Sequence, residues 1–337
     1  MPAMAATTLT LELVDRIGPE WADLAAASGN PFATVEWTEA WLEHAAAGCS
    51  RRFLAARAQD GRLVAIVPLV VARGRYVRKA RFLGYGASNE LGAICAPSDR
   101  KLGVAALRLA LEETRSDWDV FLGESLPGGG WASRLEAKLI KRESSPVARG
   151  PWTSWEAYLA SRSRSLRKEL RQKESRLAGL RYRTVAALEE LEPGLDALFT
   201  LHRARWGDDA SPFFSGLERF HRAFAAVAFE RGWVRLRLLE LDGRPVAANY
   251  SLRFGDAEWS YQHGRDPGLE DASVGLLVFA HAIREAFAEG AREFKLGPGP
   301  QGYKRRFSTD DPGVETVGIA RGVRGRASLL TIRRRGG

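Results

Sequence analysis

The chain has 337 residues, 45% of them apolar and 9% aromatic, with a formal net charge of +9. That length suggests two domains, and so much apolar side chain excludes disorder as the default state. The charge is uneven: residues 162–183 hold nine basic and two acidic side chains, residues 321–337 hold six arginines and no acid, and +9 less +7 and +6 leaves the remainder at −4, unlike a nucleic-acid binder that is basic throughout.

The first residues lack a basic stretch followed by an apolar core, so no secretory signal is expected. No apolar run approaches the roughly 18 residues of a membrane-spanning helix. The two cysteines, Cys49 and Cys95, fit a reduced, cytoplasmic setting better than a disulfide framework. The five histidines form no spaced ligand pair, so no metal site is expected.

In chain order, helices are predicted over residues 19–27 and 34–47. Asp60-Gly61 then marks a hairpin, because glycine tolerates the positive φ of a tight turn. A helix near 101–114, a strand over 118–123 and a helix near 131–142 follow. Residues 162–183 read as an amphipathic helix. Leu166, Leu170, Leu177 and Leu180 fall within about 80° of the wheel, and Arg164, Arg167, Lys168 and Arg171 within about 100° on the opposite side. Helices over 189–205 and 216–231 lead into three strands, 234–241, 245–254 and 257–263. Apolar Leu276, Ala280, Ile283 and Phe287 then predict a helix, with Asp271 or Ser273 as its N-cap and Gly290 as its stop. A short strand over 292–296 comes next.

Part of this pattern occurs twice. The string DGRxVA stands at residues 60–65 and again at 242–247, an offset of 182, and a Pro-Phe before a helical stretch recurs at Pro31 and Pro212, an offset of 181. Helices, meander, helix, strand is an α+β layer order, here used twice. The expected domains are residues 1–150 and 151–322, with a basic tail over 323–337.

Four stretches, in this order, carry a family resemblance: LHRARW (201–206), LLELDGRPVAANYSLRFGD (238–256), YQHGRDPGLEDASVGLLVFAHAIREAFAEGAREFKLG (261–297) and GYKRRF (302–307). They resemble the CelD/BcsL-like acetyltransferases of the GNAT superfamily, associated with bacterial cellulose and exopolysaccharide synthesis. The tandem spacing is similar to that of the FemABX peptidyltransferases. The resemblance implies two GNAT-like domains, each a mixed, largely antiparallel sheet flanked by helices, with a catalytic C-terminal copy; the first copy is expected to lack a site, because residues 87–100 after its meander hold no clear phosphate-binding sequence. It implies transfer of an acetyl or other acyl group from acetyl-CoA or another acyl-CoA to an amine or hydroxyl of a sugar, a polysaccharide precursor or a similar small acceptor. Two other readings stay open: an aminoacyltransferase of the FemABX type using charged tRNA, and a non-catalytic scaffold for an anionic polymer. The sequence departs from the superfamily in lacking its usual pyrophosphate loop, with only Ser273-Val274-Gly275 at that helix start, and in having Lys295 where an acid is typical.

Acyl transfer from a thioester needs a hold on the coenzyme's diphosphate, polarisation of the thioester carbonyl, and removal of a proton from the attacking group. A helix start supplies free N–H groups for the first, which selects Ser273, Val274, Gly275 and Leu276. Strand alternation puts Trp259, Tyr261 and His263 on one face, and His263, at the strand end and titrating near neutrality, is the candidate base. The resemblance adds Tyr303 as proton donor to the leaving thiolate and Lys304 as a phosphate or acceptor ligand. It also adds Arg205 and Trp206 as an anion-binding and stacking pair for the acceptor. GPGPQG (297–302) matches a dinucleotide fingerprint in letters only, since its prolines oppose a helix start. For the cationic stripe of Arg164, Arg167, Lys168 and Arg171, a leucine-only apolar face disfavours membrane insertion and missing aromatics disfavour single-stranded RNA. Anionic partners remain, namely coenzyme phosphates, a nucleotide- or lipid-linked sugar or an acidic polysaccharide, beside a merely solvated face.

Overall fold

The computed structural model describes residues 9–150, 152, 154–207 and 217–335. In chain order the elements are β1 (Thr10–Leu13), α1 (Pro19–Ser28), α2 (Val35–His44), β2 (Cys49–Arg57), β3 (Leu63–Arg73), β4 (Arg78–Phe82), α3 (Arg100–Glu113), β5 (Val120–Pro127), α4 (Trp131–Arg134), β6 (Lys138–Glu143), β7 (Val147–Arg149) and α5 (Trp155–Ala160). Then come α6 (Arg164–Arg176), β8 (Leu180–Thr184), α7 (Leu188–Trp206), α8 (Glu218–Glu230), β9 (Val234–Leu241), β10 (Arg244–Phe254), β11 (Ala257–Arg265), α9 (Val274–Ala288), β12 (Glu293–Lys295), α10 (Gly302–Phe307), β13 (Val314–Ala320) and α11 (Gly322–Arg335). No helix among the described residues is long and apolar enough to cross a membrane.

The chain forms two compact units, Met1–Glu143 with Gly313–Gly337, and Ser144–Pro312. In the first, the sheet order is β1-β2-β3-β4-β5-β13-β6. Its β2–β3 and β3–β4 pairs are antiparallel, whereas β4 and β5 run parallel. The core gathers Leu54, Val67, Phe82, Leu107 and Phe121 from the sheet and α3. Three expectations are corrected here. The domains do not divide at 150/151 and 322/323, because β13 pairs antiparallel with both β5 and β6 of the first unit's sheet. Residues 323–337 are no plain basic tail: α11 buries Leu329 against Val120 and Leu122. Glycines make that fit possible, since a Cβ on Gly325 would lie 2.2 Å from Asp119 O and one on Gly318 2.4 Å from Leu329 Cδ1. The helix expected over 131–142 stops at Arg134, and residues 138–143 form the edge strand β6.

In the second unit the order is β7-β12-β11-β10-β9-β8, so β8 to β12 repeat the arrangement of β1 to β5. The two DGR copies both become hairpins. Asp242 (φ 50°) and Gly243 (φ 78°) close a two-residue turn between Leu241 and Arg244, the type that Asp-Gly favours. In the first unit Arg57 pairs with Leu63 across a five-residue loop, with Gly61 at φ 83°. Pro212, the second Pro-Phe copy, lies outside the described residues. The amphipathic helix is shorter than expected: α6 ends at Arg176, Gly179 turns the chain at φ 77°, and Leu180 starts β8. Leu166 and Leu170 are buried as expected, in a core with Tyr158, Phe279, Ile283 and Phe294. Within the sheet, Arg237 and Glu258 are both 0% exposed and paired, and Glu285 accepts a further bond from Arg237 Nε at 2.6 Å. Two opposite charges satisfied in this way can share a core that neither could enter alone.

Candidate active site

The site begins with an opening in the second sheet. β11 and β12 are parallel but pair over only three positions, from Ala257/Glu293 to Trp259/Lys295. β12 stops there, while β11 continues to Arg265. The free end of β11 therefore carries Tyr261 to Arg265 beyond its parallel neighbour, and α9 begins nine residues after Arg265, at Val274, with Ser273 at its N-cap position. A cleft of about 290 Å³ lies here, lined by Arg205 from α7, His263, Gly264 and Arg265 from β11, Ser273 to Leu276 at the start of α9, and Tyr303 from α10. Gly264 is what lets α7 approach, since a Cβ there would stand 2.5 Å from His202 N and 2.6 Å from Leu201 C.

His263 and Tyr303 meet. The Tyr303 hydroxyl is 3.1 Å from His263 Nε2. Burial pushes the His263 pKa well below its usual range, and the charges of Lys304 and Arg205 act in the same direction, so the ring is a neutral imidazole at pH 7. Burial raises the Tyr303 pKa to about 12, against the pull of Arg205. The neutral imidazole is available to accept a proton, and the protonated phenol beside it to donate one. Arg205 has no carboxylate partner among the described residues. Its guanidinium lies 4.5 Å from the Trp206 ring centre and faces the Tyr303 hydroxyl. Trp206 itself is 38% exposed and outside the cleft lining, so it backs Arg205 instead of touching a ligand there.

Lys304 is a correction. It is 3% exposed, absent from the cleft wall, and donates from Nζ to Gly297 O (3.0 Å) and Pro298 O (2.7 Å). Burial, then Arg205, lowers its pKa to about 7. Its place is structural: it clamps the GPGPQG turn, with Gly297 at φ 78° and Gly299 at φ 119°, and so sets the position of the adjoining Tyr303.

At the start of α9, Ser273 takes the N-cap position at φ 56°, and its side chain caps nothing. Asp271 is not the cap. Ser273 O accepts from Leu276 N (2.9 Å) and Leu277 N (3.1 Å). Leu276 thus has its N–H engaged, which leaves those of Val274 and Gly275 at the helix start. Arg265 lies alongside, with its Cδ 3.1 Å from where a Gly275 Cβ would be. Its Nη2 bonds Glu270 at 2.9 Å, and its Nη1 is buried without a partner. Open N–H groups, a glycine and an unsatisfied guanidinium atom fit a diphosphate. Arg265 is a residue that sequence reasoning missed, as are Glu169 and Arg306, paired at 2.6 Å across the cleft lining.

The cationic stripe does not belong to this cleft. From α6 it is Glu169 that faces it. Arg167 donates from Nη1 to Leu159 O, Ala160 O and Arg162 O, capping the end of α5, and Arg167 and Arg171 line a second cleft. Arg164 and Lys168 are exposed and line neither. Among the described residues, no group of three or more His, Cys, Asp or Glu is placed to hold a metal ion. In the first unit a smaller cleft of about 110 Å³ adjoins the start of α3, where Asp99, bound to Arg62 at 2.6 Å, holds a carboxylate at the N-cap position.

Residues 160–305 match the family model described as the acetyltransferase (GNAT) domain. Solved structures extend the likeness over the whole chain. FemX is 12% identical, with a TM-score of 0.66, over 96% of this chain and 100% of that one. A tandem GNAT protein from the clavulanic acid biosynthesis pathway is 14% identical, with a TM-score of 0.55, over 94% and 99%. The chain is a tandem of GNAT folds. The C-terminal domain of a putative lysylphosphatidylglycerol synthetase from Agrobacterium fabrum is similar over 94% of both chains, at 10% identity and a TM-score of 0.58. No curated protein sequence matches. The two GNAT folds correspond to the two compact units, each with its β-meander, its helix (α3 or α9) and the parallel strand that follows.

Proposed function

We propose that the second GNAT unit is an acyltransferase that takes an acyl group from acyl-CoA, acetyl-CoA first among them, and delivers it to an amine or hydroxyl of a small anionic or sugar-linked acceptor. The observation that carries this reading is the cleft at the free end of β11, where a helix start, an unsatisfied arginine atom and a His–Tyr pair converge. The thioester supplies an activated acyl group when the coenzyme is bound. The N–H groups of Val274 and Gly275, with Arg265, hold the diphosphate. Backbone N–H groups of β11, freed where β12 ends, polarise the thioester carbonyl. His263 accepts the acceptor's proton at Nε2 and passes it to the Tyr303 oxygen, as that oxygen releases its own proton to the sulfur. Arg205 orients an anionic group of the acceptor, held flat by Trp206. The first GNAT unit is the non-catalytic copy, because the Asp99 carboxylate opposes an anion at the start of α3. A role in exopolysaccharide or cellulose synthesis follows from the CelD/BcsL resemblance, and a cytoplasmic location accords with the free thiols of Cys49 and Cys95.

The test is calorimetric titration with acetyl-CoA, followed by turnover on an acceptor panel of amino sugars and sugar phosphates. Gly275→Asp puts a charge and a side chain against Arg265, and should weaken coenzyme binding at least tenfold without unfolding the protein. Tyr303→Phe should leave binding intact and lower kcat by roughly 10²–10⁴. Unchanged coenzyme affinity in folded Gly275→Asp, or binding of aminoacylated tRNA with none of acetyl-CoA, would overturn the reading.

A further inference from the structure

The second unit contains another cleft, separate from the catalytic one and larger, at about 460 Å³. It lies among α5, α6, β8 and α9. Its floor is apolar, made by Trp155, Leu159, Leu170, Leu277 and Ala280. One wall is the Tyr182–His281 stack, with ring centres 4.1 Å apart and planes 18° from parallel. That wall is held rigidly: Glu285 accepts from His281 Nε2 at 3.0 Å and is itself bound to buried Arg237, while the Tyr182 hydroxyl donates to Glu174 at 3.2 Å. The charged lining is three guanidiniums, Arg167, Arg171 and Arg284, against two carboxylates, Glu156 and Glu174, of which Arg167 is engaged with the end of α5 and Glu174 with Tyr182. Arg171 and Arg284 are exposed, and neither has a carboxylate partner among the described residues. A preformed apolar cavity with a few convergent polar groups is the usual form of a small-molecule site.

We propose that this cleft binds an anionic amphiphile: a single apolar chain or ring in the floor, bearing one phosphate or carboxylate held by Arg171 and Arg284. The apolar side chains give the body a place out of water. The guanidiniums of Arg171 and Arg284, free of carboxylate partners among the described residues, supply charge-assisted donors to its head. Inorganic phosphate would leave the floor unfilled, and an uncharged chain would leave both arginines unmatched. A concave volume of about 460 Å³ suits one molecule better than a bilayer surface. This also gives the cationic side of α6 a use independent of the acyl-transfer cleft, which receives Glu169 from the same helix.

Isothermal titration with octyl phosphate, against 1-octanol, inorganic phosphate and phosphatidylglycerol vesicles, tests the assignment. Octyl phosphate should bind at least tenfold more tightly than octanol or phosphate. Arg171→Gln with Arg284→Gln, both at exposed positions, should weaken it at least tenfold with an unchanged melting temperature. Leu159→Glu, which sets a like charge in the floor, is the second variant and should abolish binding. Octyl phosphate binding no tighter than phosphate, undiminished binding in the folded variants, or binding to vesicles alone would each overturn the proposal.

Discussion

His202, 3% exposed on α7, is bonded to Gln262 of β11, and burial followed by Arg205 lowers its pKa to about 4. The unfolded chain takes up this proton near pH 6.5, and the folded chain only near 4. Between those values the unfolded state binds more protons, so stability is full above pH 6.5 and falls as pH drops toward 4. His263, shifted in the same direction, adds to the slope. Each group contributes at most about 1.4 kcal/mol per pH unit. Denaturant titrations at pH 7, 6, 5 and 4 should show His202→Gln losing stability less steeply than the wild type; equal slopes would refute the assignment. Some residues of the site were legible from local rules. Strand alternation and a sequence motif selected His263 and Tyr303, and they meet. The motif match made Lys304 a phosphate or acceptor ligand, whereas the structure turns it inward onto two carbonyl acceptors that make its burial tolerable. Arg265 and Glu169 carried no local signal, because packing alone turns them toward the cleft.

Elements were legible where one periodicity held to a clear stop. The β9–β10 hairpin is an example, since Asp-Gly adopts the two positive φ values that its turn demands. α9 is another, ending against Gly290 at φ 82°. Boundaries slipped where two periods overlapped. Leu177 and Leu180 continue the helical spacing of Leu166 and Leu170, but Leu180, Tyr182 and Thr184 also alternate, and pairing with β9 from Leu180/Leu241 to Thr184/Arg237 decided for strand. Residues 138–143 gave the same ambiguity. A helix was expected to run on to residue 142, yet hydrogen bonding to β13 stabilises an extended edge instead. The buried Arg237–Glu258 pair was invisible from sequence because each residue is charged and nothing local says they meet.

The tandem organisation was readable because each unit spends its sequence in the same order, helices, meander, helix, parallel strand. The return of β13 to the first unit was not, since VETVGIA would complete either sheet equally well. That return has a physical consequence. β13 sits between β5 and β6 and bonds to both, and α11 covers Val120 and Leu122 beyond it. A chain ending at Pro312 would lose strand and helix together. β5 would become an open edge with unpaired N–H and C=O groups, and β6 would have no neighbour in its sheet. The second sheet would lose no strand, because its last, β12, precedes the cut. Hydrogen exchange on this truncated chain should therefore show protection lost across Val120–Pro127 and kept across β10 and β11. Calorimetry should retain the transition of the second unit while that of the first disappears or gives way to aggregation. Undiminished protection of β5 would mean that the first unit holds together without its returning strand.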